Sequence, residues 1–147
     1  MKHNSYYPQL LVTLQFGIIG VMVLLSKGFF SNLIAIFIFI VGALLGIWAL
    51  NHNRLGNFNI QPRMRENAQL ITTGIYGYIR HPMYLSVIIM MLAFAICSPT
   101  IIEIILLIGL IIVLVLKAKR EEKLWLNHSE AYKKYKEQTK LFIPYIL

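Results

Sequence analysis

The chain has 147 residues, room for one domain. Hydrophobic residues make up 58% and charged residues only 14%, with a mean hydropathy of +0.67; soluble domains carry about a quarter charged residues, so an ordinary soluble domain is excluded. The net charge is +8 with no aspartate, and one cysteine, Cys97, excludes an internal disulfide or a cysteine-cluster metal site.

In so apolar a chain, positive charge first reads as membrane topology. The basic residues collect in residues 51–83 and after Leu116, as the positive-inside rule expects of segments facing the cytoplasm. Nothing resembles a nucleic-acid module, so no nucleic-acid partner is expected. The predicted fold class is all-α, a polytopic membrane protein of about four transmembrane helices forming one domain over residues 1–147.

Residues 1–9 carry one lysine, and no small-residue cleavage site follows, so the first span is expected to be retained. That span, residues 10–26, is near the lower limit for crossing the hydrocarbon. Only Thr13 and Gln15 interrupt it with polar side chains before its end. Lys27-Gly28 marks a turn, and Ser31 or Asn32 can cap the second span, residues 32–50. Gly42 and Gly46 stand four apart in it. That spacing permits close helix contact in lipid, or is two unrelated glycines.

Residues 51–83 form a long loop with Arg54, Arg63, Arg65 and Arg80, too long and polar for a plain connector. One or two short helical turns are expected in it. The third span is residues 84–97 and the fourth 101–116, joined by Ser98-Pro99-Thr100 into a hairpin, with the fourth helix running on to about Asn127. Glu103 is the only acid inside an apolar segment. It is either a functional intramembrane carboxylate or the reciprocal partner of Thr100 in a capping box. The tail, residues 117–147, begins amphipathic and breaks near residues 127–129. A second helix over residues 130–139 then carries Tyr132 and Tyr135 among lysines. Four spans place both termini in the cytoplasm, and thin spans leave a homodimer open.

The densest chemistry lies in residues 74–84, where a glycine turn, three tyrosines and Arg80-His81-Pro82 lead into the third span. Pro82 is pre-set for a first helical turn, whose free N–H groups are partly positive. His81 can exchange protons near neutral pH, and Tyr76 and Tyr84 offer flat faces for an aromatic ligand. The competing reading is an interfacial anchor. Glu121-Glu122 is the second signal: a site for a cationic ligand or ribose hydroxyls, or a solvated face paired with Lys117 and Lys119. The four histidines lack ligand spacing, so no metal is expected.

Together these residues resemble the isoprenylcysteine carboxyl methyltransferase and phospholipid methyltransferase group of integral membrane enzymes. The resemblance rests on Asn57-Phe58, Gln61-Pro62, residues 70–76, Arg80-His81-Pro82-Met83-Tyr84, Arg120-Glu121-Glu122, Tyr132, Tyr135 and Ile143-Pro144. It implies S-adenosyl-L-methionine as cofactor, a lipophilic acceptor dissolved in the bilayer, and a site where loop and tail meet at the inner, cytoplasmic membrane. By resemblance the cofactor residues are Gln61, Gln69, Leu70, Ile71, Tyr76, His81, Pro82, Met83, Tyr84, Glu121 and Glu122. Arg80, His81 and Glu121 are the expected catalytic residues, and Lys117 and Arg120 the substrate residues. Lys117 stands where carboxyl methyltransferases carry an arginine, and His128-Ser129 where a Phe-Gly pair is usual. A sterol-type reductase using a nicotinamide cofactor and a non-catalytic lipid-binding scaffold are the alternatives.

Overall fold

A computed structural model describes residues 6–53 and 69–144. Among these the chain is helical, in five α-helices: α1 Tyr7–Leu25, α2 Leu33–Asn53, α3 Pro82–Cys97, α4 Ile101–His128 and α5 Glu130–Gln138. Short 3-10 turns cover Phe29–Ser31 and Gly74–Gly77. The latter meets the expectation of a helical turn within the long loop. One parallel bridge, Ile79 with Lys140, is the extended pairing.

Local chemistry sets the boundaries. Pro8 and Pro82 sit in the first turns of α1 and α3, where a missing N–H costs nothing. Gly28 adopts φ +75 between α1 and the first 3-10 turn, a conformation open to glycine. Of the two expected caps for α2, Asn32 is the one used: its Oδ1 accepts from Ala35 N–H at 3.1 Å.

α1, α2 and α4 are long and apolar enough to cross a membrane, and α3 is a shorter apolar helix of 16 residues. At 1.5 Å per residue α3 reaches about 24 Å, under the ~30 Å hydrocarbon core, whereas α4 extends about 42 Å. Residues 117–128 of α4 therefore project past the apolar layer that residues 101–116 can fill. Large apolar side chains stay exposed on the helix flanks, such as Phe37 at 67% and Ile105 at 62%. Lipid is as apolar as leucine, so such faces need no protein cover.

The helices alternate in direction. Gly42 and Gly46 of α2 lie against Met90 and Ser86 of α3: a Cβ on Gly42 would meet Met90 Cγ at 2.8 Å and its backbone N at 2.9 Å. The two glycines are thus a close-contact pair. Gln15 of α1 touches Lys117 of α4, and Tyr84 at the start of α3 touches Glu121 of α4. Met22, Met91, Ala95, Leu110 and Leu114 form the core shared by α1, α3 and α4. The start of α1, the end of α2, the start of α3 and the projecting end of α4 accordingly share one end of the bundle.

Glu103 departs from the expected capping box. Thr100 Oγ1 accepts from Glu103 N–H at 3.2 Å, so half the box forms. The Thr100 N–H is taken by Ser98 O at 2.7 Å within the turn before Ile101. The Glu103 carboxylate is fully buried, and neither oxygen has a hydrogen-bond partner among the described residues.

Gly42→Ala should lower stability by about 1–3 kcal/mol, because the methyl group meets backbone as well as side chain. Gly17, with nothing within 4 Å of an added Cβ, should tolerate alanine or gain up to about 1 kcal/mol from helix propensity. Thermal unfolding in detergent compares the two, and equal melting temperatures would refute the close contact.

Candidate active site

The chemistry gathers where the segment before α3 meets the far part of α4 and the tail. Gly74 has φ +60, and a Cβ there would lie 2.6 Å from His52 Cε1. This position needs glycine for both conformation and space. His52 Nε2 pairs with Thr73 Oγ1 at 2.9 Å and the ring stacks near Tyr76 at 6.4 Å, fixing the turn to the end of α2. Tyr76 is buried, and its hydroxyl donates to Ala49 O at 3.5 Å.

The tail closes on this turn by backbone pairing. Arg80 N–H donates to Lys140 O at 2.8 Å, His81 N–H to Leu141 O at 3.1 Å, and Lys140 N–H to Tyr78 O at 3.1 Å. Tyr135 of α5 donates its hydroxyl to Tyr76 O at 2.7 Å. α5 itself folds back on α4 through the stack of Trp125 on Tyr132, 5.8 Å between centroids and 12° apart.

Two adjacent acids of α4 point at this junction. Glu122 Oε1 accepts from Arg80 Nε at 2.5 Å, and its Oε2 lies 2.9 Å from Lys136 Nζ of α5. Arg80 Nη1 also donates to the carbonyl of Thr139 and to Lys136 O. Glu121 Oε1 accepts from the Tyr84 hydroxyl at 2.5 Å. His81 stands between the acids, Nδ1 3.6 Å from Glu121 Oε2 and Nε2 3.7 Å from Glu122 Oε1. Its ring lies parallel to Tyr84 at 5.4 Å and meets Phe142 edge-on. The buried His81 Nε2 has no hydrogen-bond partner among the described residues.

The two carboxylates are driven in opposite directions. Burial pushes Glu122 up, but the neighbouring His81, Lys136 and Arg80 outweigh it and hold the group at about 2. Burial raises Glu121 and the charge of Glu122 adds to it, against the opposing pull of His81, Tyr84 and Lys117. Adjacent groups split in this way can hold different protonation states, a common feature of working sites. Burial also raises Tyr76, Tyr132 and Tyr135, which stay neutral donors.

Tyr76, Arg80, His81, Tyr84, Glu121 and Glu122 thus come together from residues far apart in the chain. Pro82 is buried at the first turn of α3, and Met83 O accepts from the Ser86 hydroxyl at 2.8 Å. Gln69, exposed, and Leu70 and Ile71, half-buried, lie on the irregular segment before the turn. Gln61 lies outside the described residues. Lys117 is buried at 1% exposure, bonds Gln15 Oε1 at 2.5 Å and sits 5.1 Å over the Tyr84 ring. Arg120 lies over the Tyr7 ring at 5.3 Å. The sequence reading missed Lys136, Thr139 and Phe142. Their short-range pattern resembles any amphipathic tail, and only Gln15 carried a signal, as a polar interruption of an apolar span.

A family model described as phospholipid methyltransferase matches residues 30–134, more than half of the chain. Among curated proteins no match is found.

Because the folded Glu122 titrates below its ordinary range, its stabilisation is complete above pH about 4.5 and is lost as pH falls towards about 2. The stability gap between wild type and Glu122→Gln should reach up to about 3 kcal/mol at neutral pH. It should then shrink across that acid window, as read by thermal melts at stepped pH. A constant gap would contradict the ion-pair geometry.

Proposed function

The chain belongs to the phospholipid methyltransferase family, and from that premise we propose that it moves a methyl group from S-adenosyl-L-methionine to a lipophilic acceptor dissolved in the membrane. The observation that carries the reading is the convergence of the residue 74–84 turn and the tail on Glu121 and Glu122 around His81. The proposed place of reaction is the cytoplasmic face, with both termini on that side. A charged donor arrives from water and an apolar acceptor from lipid, so the end of the helices is where the two can meet.

The residues suit such a donor. Two carboxylates favour a cationic centre and accept from hydroxyls. The orphaned His81 Nε2 offers a further buried polar contact, and the tyrosine faces suit an aromatic base. We assign cofactor contact to Tyr76, His81, Pro82, Met83, Tyr84, Glu121 and Glu122, with Gln61, Gln69, Leu70 and Ile71 contributing from the loop. When bound, the donor supplies an electrophilic methyl group on a sulfonium.

The protein's own work is then positioning and drying. Arg80 is engaged by Glu122 and the tail, so its part is to hold the tail over the site, while His81 and Glu121 face the reacting groups. We assign the acceptor side to Lys117, which lies between Gln15 and Tyr84, and to Arg120, which lies over Tyr7. Orientation alone supplies up to about 7–11 kcal/mol in well-aligned systems. Excluding water strengthens every electrostatic contact in the site. A thiolate or carboxylate acceptor needs no general base, whereas an amine has to arrive deprotonated.

S-adenosyl-L-methionine should raise the melting temperature of the detergent-solubilised protein, by about 2.7 kcal/mol of stability at 100 times its Kd, and NADPH should not. Glu121→Gln and His81→Ala should lose most of that shift. A shift from NADPH alone, or variants that respond like wild type, would overturn the assignment.

A further inference from the structure

Beside the junction lies a second feature, which shares only the Arg80–Glu122 wall with the methyl-transfer reading. The face of α4 that carries Lys119, Lys123 and Leu126 opens on Lys136, Thr139, Lys140 and Leu141 of the tail, with Arg80 and Glu122 as the inner wall. Together they line an open cleft of about 600 Å³. Its charge is one-sided. Arg80 and Lys136 share the single acid, Glu122. Lys119, Lys123 and Lys140 are exposed and form no ion pair among the described residues. Three ammonium groups without an acid partner among the described residues, with Leu141 beside them, match an anion attached to something apolar.

Depth selects which anion. Lys119 stands three residues beyond Leu116, the last of the apolar stretch, and Lys123 seven beyond it. At 1.5 Å per residue these are about 4.5 and 10 Å past the hydrocarbon boundary. The headgroup layer occupies roughly 5–8 Å on each side of the core. Lys119 therefore sits at headgroup level, where basic residues next to a membrane span favour anionic lipid, and Lys123 stands just outside it with a side chain long enough to reach back.

We propose that this cleft binds the phosphate headgroup of an anionic phospholipid from the surrounding leaflet. The lipid is a resident of the protein surface, separate from the methyl acceptor. Its phosphate meets Lys119, Lys123 and Lys140, and its upper chain lies along Leu141, whose carbonyl pairs with His81 at the start of α3. Because the tail residues of the cleft are those that pair with Arg80 and His81, an occupied cleft braces the tail against α4. The proposal does not depend on what the neighbouring site catalyses.

The test uses full-length protein in mild detergent with phosphatidylglycerol, phosphatidylcholine or inorganic phosphate added, and measures retained lipid by native mass spectrometry. Wild type should retain phosphatidylglycerol at least about tenfold better than phosphatidylcholine. The triple variant Lys119→Ala, Lys123→Ala, Lys140→Ala should lose that preference, and the corresponding lysine-to-arginine triple should keep it. A charge-matched control, Lys27→Ala, Lys133→Ala, Lys134→Ala, removes the same charge away from the cleft and should retain the lipid as wild type does. Equal loss in the cleft and control triples would show diffuse attraction and overturn the site. Complete displacement of the lipid by millimolar inorganic phosphate would assign the cleft to a free anion instead. Equal retention of both lipids by wild type would end the proposal.

Discussion

The arrangement turns on one ion pair, Arg80 with Glu122. Arg80 belongs to the segment that leads into α3, and Glu122 to the part of α4 that projects past the apolar layer. Both side chains are nearly buried, at 9% and 6% exposure. A charge taken out of water is costly unless it is matched. Here it is matched several times over: Lys136 takes the second Glu122 oxygen, and the Arg80 guanidinium also holds tail carbonyls. Removing one partner strands the others, so three separate segments are committed to one geometry.

Around that pair the backbone does the closing. The extended pairing of residues 78–81 with 140–141 is short, yet it crosses the point where the long loop and the tail must register. Tyr135 and the Trp125–Tyr132 stack fix α5 behind it. His81 is thereby held between two acids without a hydrogen bond to either. One buried nitrogen of that ring is unmet among the described residues. On the proposed reading it meets the methyl donor.

The membrane-facing part follows different rules. Glycines let α2 and α3 approach closely, and large apolar residues are left outward for lipid. Polar side chains inside the bundle are few, and Gln15 with Lys117 forms a matched pair near the site end. Glu103, at the other end of α4, is buried without such a match among the described residues.

Much of this was legible in the chain itself. Hydrophobic run lengths fix the number and order of apolar helices, because a span must satisfy its backbone internally. Proline at the start of α3 and Thr100 before α4 mark helix starts through local geometry alone. The density of Arg80, His81, Tyr84 and Glu121-Glu122 marked residues that the fold brings into contact. What folding alone decided is which of these groups face one another. Sequence spacing could not tell that Arg80 takes Glu122 while Tyr84 takes Glu121, since the two acids are adjacent and their rotation about α4 depends on how α1 and α3 pack against it. Nor could it assign Lys136, Thr139 and Phe142 to the site, since a tail helix shows the same pattern whether it lies in water or folds back. A helix reports its own faces, but its partners are set by contacts between residues dozens of positions apart.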